Sequence, residues 1–239
     1  MMRLYVPRLV PGGLLVAGAD HHYLAHVLRV RPGDEVVVFD GRGGSARARV
    51  DAVTADAVSL AVGDIERTPA PRVDLALLVA LLKGEKMDLV VQKATELGAA
   101  RIVPLRAERS VVKLEPSRAG ARIARWQKIA NEAARQCGRA DAPAIAAPAA
   151  PAEAFAAASG FRVAFHERAV TPLRRVLPEA PPERVAIAIG PEGGFTDAEI
   201  DSAAAAGFAV CGLGPRVLRA ETAAIAALAA VAFSVGDFA

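Results

Sequence analysis

The stretch AIGPEGGFTDAEI, residues 188–200, runs from apolar residues through a glycine-rich turn into a helix start. Thr196 and Glu199 stand at the T-x-x-E spacing of a capping box, which sets a helix N-terminus directly after GPEGGF. The turn is therefore a strand-to-helix crossover. Such crossovers hold ligands, because backbone N–H groups are left unpaired there and glycines leave the approach open. Phosphate is the usual ligand, but this turn has no Lys, carries the carboxylate of Glu192 and matches neither GxxxxGK[ST] nor GxGxxG. Glu192 would repel a phosphate, so a different ligand is expected.

Working outward, a second glycine loop, LGPRVLRAET (213–222), leaves the short apolar run AVCGLG in the same way. The apolar run VDLALLVALL suits a parallel strand covered on both faces. It is followed by KGEKMDLVVQKATELGAARIVPL, with Met87, Val90, Val91, Ala94 and Leu97 at helical spacing and Gly98 as the stop. A helix is expected over about 117–138, and RVAFHE, RVAIAIG, TDAEIDSAAAAG and RAETAAIAALAAVAFSV complete an alternating β/α series. The two glycine loops are expected to leave neighbouring strands and to lie side by side at the carboxyl edge of the sheet, where open α/β sheets hold ligands. Simple tight turns are the alternative reading of both.

Before the linker TPAPR (68–72) the pattern is different. LYVP, GGLLVAG, DEVVVFDG, SARARVDAVT and AVSLAVGDI read as short strands of a small β-barrel. They are interrupted by a helical turn in which Leu24, Val27 and Leu28 share a face. Two domains follow, 1–70 and 71–239. His21, His22 and His26 lack a fourth ligand, so no metal site is expected.

The chain has 239 residues, 53% of them hydrophobic, enough for a substantial core. Its longest apolar run, AAIAALAAVAF, falls short of a membrane span. The start has no apolar leader segment, and Cys137 and Cys211 show no metal or redox spacing, so a cytoplasmic protein with reduced thiols is expected. The basic excess sits in residues 71–140, with 14 Lys and Arg against 7 Asp and Glu. That distribution suits either a polyanion-binding face or a solvated helix surface.

The ordered set KGEKMDLVVQKATELG, ERSVVK, RWQKIANEAARQCGR, IGPEGGFTDAE and LGPRVLRAETAA closely resembles the RsmE family, bacterial 16S ribosomal RNA methyltransferases of the SPOUT superfamily that modify uridine N3. The resemblance covers essentially the whole chain. It implies an α/β fold: a SPOUT-type parallel sheet with a C-terminal trefoil knot, preceded by a small PUA-like β-barrel that binds RNA. It also implies S-adenosyl-L-methionine (AdoMet) in the knot, no metal, a homodimer, and 16S rRNA or the small ribosomal subunit as partner.

Carried over by motif, the AdoMet pocket falls on Phe165, His166 and Glu167, on Gly190, Pro191, Glu192, Gly193, Gly194 and Phe195, and on Leu213, Gly214, Arg216, Val217, Leu218, Arg219 and Thr222. RNA contact falls on Arg8, Arg29, Lys83, Arg109, Arg135, Gln136 and Arg139. A sulfonium cation suits glycine loops and a nearby carboxylate better than a polyphosphate does. For the reaction, Arg219 is expected to stabilise the uracil as N3 loses its proton, with Glu221 and Thr222 holding its guanidinium and Asn131 approaching the base from a helix face. Two rival readings stay open on sequence: a non-catalytic RNA clamp and a nucleotide hydrolase. Binding of AdoMet, of neither ligand or of ATP separates the three.

Overall fold

The computed structural model describes residues 2–69 and 71–236, with the side chain of Pro116 outside the description. Contacts divide the chain into two units. The first runs to the TPAPR linker and takes in Asn131–Ala142; the second comprises Pro71–Ala130 and the chain from Pro143 onward. Among the described residues no helix is long and apolar enough to cross a membrane.

In the first unit β1 (Met2–Tyr5), β2 (Gly12–Ala17), β3 (Glu35–Phe39), β4 (Gly44–Val53) and β5 (Ala57–Val62) form a sheet in the order β1-β3-β4-β5-β2, with β6 (Glu66–Arg67) on β4. β4 carries the period of two plainly: Ala46, Ala48 and Val50 are buried while Arg47 and Arg49 turn to solvent. The inward side chains of β1 to β5 meet in one cluster with Leu24 and Val30. The sheet therefore curls around a common core, although β1 and β2 end the strand path and do not pair with each other.

The expected helical turn is α1 (Gly18–His22), which continues as a π-helix over Tyr23–Leu28 and ends at Arg29 with φ 56°. The shared face of Leu24, Val27 and Leu28 is not realised. Leu24 is fully buried and Leu28 packs at the cluster edge, but Val27 is 60% exposed. Wider i→i+5 winding rotates Val27 off the face that α-helical spacing assigns to it.

Asn131–Ala142 begins with the end of α3 (Pro116–Cys137). Ala134 and Ala140 pack on Phe39, with Tyr5 at the margin. The Arg139 carbonyl accepts from Arg3 Nη2 at 2.9 Å, the Ala142 N–H donates to the Gly41 carbonyl at 3.0 Å, and Arg139 Nη2 donates to Asp141 Oδ2 at 2.6 Å. Burial alone would raise the Asp141 carboxyl, but the Arg139 guanidinium bonded to it holds it below the usual carboxylate range.

The second unit is a six-stranded parallel sheet in the order β12-β10-β11-β7-β8-β9. The strands are β7 (Asp74–Ala80), β8 (Arg101–Leu105), β9 (Ala144–Ile145), β10 (Phe161–Phe165), β11 (Arg184–Ile189) and β12 (Ala209–Cys211). Central β7 and β11 are apolar on both faces, as the continuous run VDLALLVALL implies. On one face Leu78, Ala80, Ala186 and Ala188 cluster with Phe155 of α4 (Pro151–Ala157), Ala203 of α5 (Asp197–Ala205) and Phe208. α2 (Glu85–Glu96) and α6 (Ala220–Ser234) pack on each other, and α6 packs on β7 and β11.

The strands that feed the two glycine loops are not neighbours: β10 lies between β11 and β12. The linear order of the loops gives no sign of this, because β10 precedes both in sequence.

A depressed carboxyl pKa contributes stability above its unfolded value and loses it as pH falls through the folded value. Asp141→Asn should therefore lower stability by about 1 kcal/mol at neutral pH, with the difference from wild type vanishing as pH falls below the ordinary carboxylate range. Thermal unfolding of both proteins across that range measures it.

Candidate active site

The turn after β11 is shaped by what it passes. A Cβ on Gly194, whose φ is 69°, would lie 2.7 Å from both carboxylate oxygens of Glu167, and one on Gly190 would lie 2.9 Å from the Phe195 nitrogen. Phe195 is buried against Phe155, with ring centroids 5.8 Å apart, and anchors the exit of the turn. Directly after it the capping box forms as read: Glu199 N donates to Thr196 Oγ1 at 3.2 Å and Thr196 N to Glu199 Oε2 at 2.9 Å. Arg109 Nη1 donates to the Gly193 carbonyl at 3.0 Å and its stem covers Gly193, so a side chain at Gly193 would meet Arg109 first.

The segments after β10, β11 and β12 enclose a cavity of about 220 Å³ at the carboxyl edge of the sheet. It brings together Phe165, His166 and Glu167, then Gly190, Pro191, Glu192, Gly193 and Gly194, then Leu213, Gly214, Arg216, Val217 and Leu218. Phe195, Arg219 and Thr222 do not line it. Ile189, Ala220 and Ala223 do, and the sequence reading does not single them out. Alanines inside an alanine-rich helix carry no chemical signal; only their i, i+3 spacing on α6 marks a common face.

His166 is buried. Its Nδ1 accepts from the Arg168 N–H at 3.3 Å, so the neutral ring carries its proton on Nε2. That Nε2 has no hydrogen-bond partner among the described residues and lies 3.8 Å from Glu167 Oε2. Buried donors are seldom left unmatched, so the cavity wall offers a donor awaiting a ligand acceptor. Beside it, Glu167 and Glu192 supply negative charge. Burial works to raise the Glu192 carboxyl, but its own backbone N–H and the Lys86 ammonium, 3.0 Å away, bring it below the usual range.

Arg219 adopts an extended conformation immediately before α6 and is exposed. The expected grip of Glu221 on its guanidinium is not found: the Glu221 carboxylate is buried and lies 3.5 Å from Lys86 Nζ, while Arg219 makes no side-chain hydrogen bond or ion pair among the described residues. The side chain of Glu221, two residues on in the first turn of α6, packs inward toward α2.

The expected RNA contacts fall on both units. Arg8, Arg29, Lys83 and Gln136 are exposed. Arg135 stacks over the Tyr23 ring at 4.0 Å and pairs with Glu132, and Arg139 is committed to Asp141. Asn131 belongs to the first unit and does not line the cavity.

The parallel sheet with its glycine-walled cavity at the carboxyl edge follows a small, mainly β unit, and both parts match families of RNA methyltransferases. Residues 68–232 match the family described as RNA methyltransferase domain, and residues 16–62 match the RNA methyltransferase PUA domain. The chain is 33% identical over 229 residues to ribosomal RNA small subunit methyltransferase E of Bacillus subtilis, covering 91% of this chain and 89% of the relative. It is 35% identical over 231 residues to the protein of that name from Synechocystis, covering 94% and 74%. A Neisseria gonorrhoeae ribosomal RNA small subunit methyltransferase E solved with S-adenosyl methionine superposes with a TM-score of 0.85 at 31% identity, over 98% of this chain and 97% of that one. A Legionella pneumophila chain solved with bound SAM gives 0.89 at 33% identity, over 98% and 97%. The chain belongs to the ribosomal RNA small subunit methyltransferase E family.

Gly194→Ala should destabilise the protein by about 1–2 kcal/mol, through the positive φ and the crowding against Glu167 together. Adding Glu167→Ala should recover only the crowding share in thermal unfolding. Full recovery by the double variant would show that the backbone conformation costs nothing.

Proposed function

We propose that this protein is an AdoMet-dependent methyltransferase acting on uracil N3 of 16S ribosomal RNA in the cytoplasm. The observation that carries the reading is the buried, unpartnered His166 Nε2–H in a glycine-walled cavity that also presents Glu167. That donor set fits AdoMet. An adenosine offers acceptors for an N–H donor and ribose hydroxyls for a carboxylate, Phe165, Ile189, Leu218 and Ala223 supply apolar walls, and a cationic ligand tolerates the acidic surroundings that a polyphosphate would not. When bound, AdoMet supplies a methyl group activated by its positive sulfonium.

The chain's own residues align the ligand and manage charge on the base. The glycine turn leaves backbone groups accessible, Glu167 and His166 orient the nucleoside part, and Arg219, which pairs with no carboxylate among the described residues, is assigned to stabilise the uracil as N3 loses its proton, with Arg216 of the cavity wall beside it in the loop. RNA binding is assigned to the exposed Arg8, Arg29, Lys83 and Gln136, with Arg109 shared between RNA and the glycine turn. For the C-terminal segment we favour a trefoil knot. It is supported by the pairing of β12 with β10 instead of β11 and by the bridge between Pro172 and Gly212.

A homodimer is supported by α6, which beyond its first turn is apolar on every side yet leaves Ala226, Ala230 and Phe233 accessible along one stripe, with Phe233 74% exposed. A helix apolar all round is normally buried, and a second copy is the occupant that this stripe fits. Light scattering should give twice the chain mass for the wild type and a lower mass for Phe233→Glu.

Mass spectrometry of 16S rRNA from cells lacking the protein tests the function: a uridine that has lost one methyl group and regains it with purified protein and AdoMet is the expected outcome. Arg219→Ala should bind AdoMet within a few-fold of wild type yet lose about a hundredfold in single-turnover rate, the scale of removing one oxyanion donor. An unchanged rate would remove Arg219 from the chemistry.

A further inference from the structure

Lys86 occupies the second position of α2, where a cation opposes the helix dipole and where the neighbouring Glu85 and Asp88 are the residues that local preference favours. A residue that violates the local rule invites a search for its tertiary partner. Its Nζ lies 3.0 Å from Glu192 Oε1 and 3.5 Å from Glu221 Oε2. Glu192 is in the glycine turn after β11 and lines the cavity; Glu221 is in the first turn of α6, between the lining residues Ala220 and Ala223. One ammonium thus spans carboxylates from two walls of the cavity, although Lys86 itself lines none of it.

The Glu221 side chain is nine-tenths buried, and its Oε2 is at ion-pair distance from Lys86 without hydrogen-bond alignment. A carboxylate in that setting is costly without a nearby cation. Without Lys86 the Glu221 charge would be uncompensated, and Glu192 would add a like charge. Among the described residues no other Lys or Arg side chain pairs with Glu192 or Glu221, although the Lys83 backbone N–H also bonds to Glu192. Of the ionisable groups around the ammonium, Glu85 and Asp88 are acidic, and Arg125 of α3 is already bonded to Asp88. The electrostatics agree with the geometry: the hydrogen bond to Glu192 raises Lys86 against its own desolvation, and Glu192 is lowered.

We propose that Lys86 is a positioning residue, a single cation that holds the 190–194 turn and the start of α6 at the spacing the cofactor requires. This rests on the AdoMet reading of the cavity for its consequence in binding, but not for the clamp itself. Two measurements separate them.

Hydrogen exchange of the protein without cofactor should show faster exchange at amides of both segments in Lys86→Met, and the same in Lys86→Gln. Unchanged exchange in either segment overturns the proposal. Calorimetry should show AdoMet bound at least about tenfold more weakly by Lys86→Met, with Lys86→Arg close to wild type, because it is the charge that bridges the carboxylates. Lys86→Met/Glu192→Gln should recover most of the affinity at neutral pH, because it removes one of the two unbridged carboxylates. Affinity unchanged in Lys86→Met, or a defect that the second substitution does not relieve, refutes the clamp. A wild-type protein that binds no AdoMet refutes the cofactor reading instead, and the exchange result still decides the role of Lys86.

Discussion

The Gly194 backbone passes close over the Glu167 carboxylate, and much of the site follows from that approach. Because no side chain fits there, the chain leaving β11 can pass directly over the end of β10. That pass brings Glu192 and Gly193 to the cavity and aims the following residues into the sheet, where Phe195 seats on Phe155. The buried phenylalanine and the reciprocal Thr196–Glu199 bonds then fix where α5 starts. Relaxing the approach would shift the cavity wall and the helix together.

A second constraint is volume. The face of the sheet toward α4 and α5 is built largely from alanine, and three phenylalanines fill the space that small residues leave. The pattern concentrates shape information in few side chains: Phe155 touches both Phe195 of the glycine turn and Phe208, which leads into β12. Packing at native density transmits displacement, so the aromatic trio connects two of the three segments that wall the cavity mechanically as well as spatially.

Much of this was legible in the sequence because it depends on local rules. The capping box, the doubly buried β7, the period-two alternation of β4 and the glycine stops of the helices are each set by a few adjacent residues, and the motif order named the family. What was not legible depends on partners distant in the chain. The separation of β11 from β12 by β10 is a matter of sheet order. The π-helix that turns Val27 outward gives no separate signal in an apolar run. Glu221 was expected to hold Arg219, two positions away, but its partner is Lys86, 135 positions upstream. Arg135 and Arg139, read as part of a basic surface, also have partners in Tyr23, Glu132 and Asp141, since sequence counts charges without showing which are paired.

The pairing of β7 with β11 has a consequence for how the protein acquires its shape. Register partners such as Leu75 and Val185 stand more than a hundred residues apart, and β10 finds its second neighbour only when Ala209–Cys211 has been made. Loops of that length are slow to close, and contacts of high sequence separation dominate the folding rate. The first unit takes its last segment from Asn131–Ala142, so it can complete its core while the rest of the chain is still emerging from the ribosome. The ligand cavity, walled by residues up to Ala223, comes last. A truncated translation product would carry a finished first unit without the cavity.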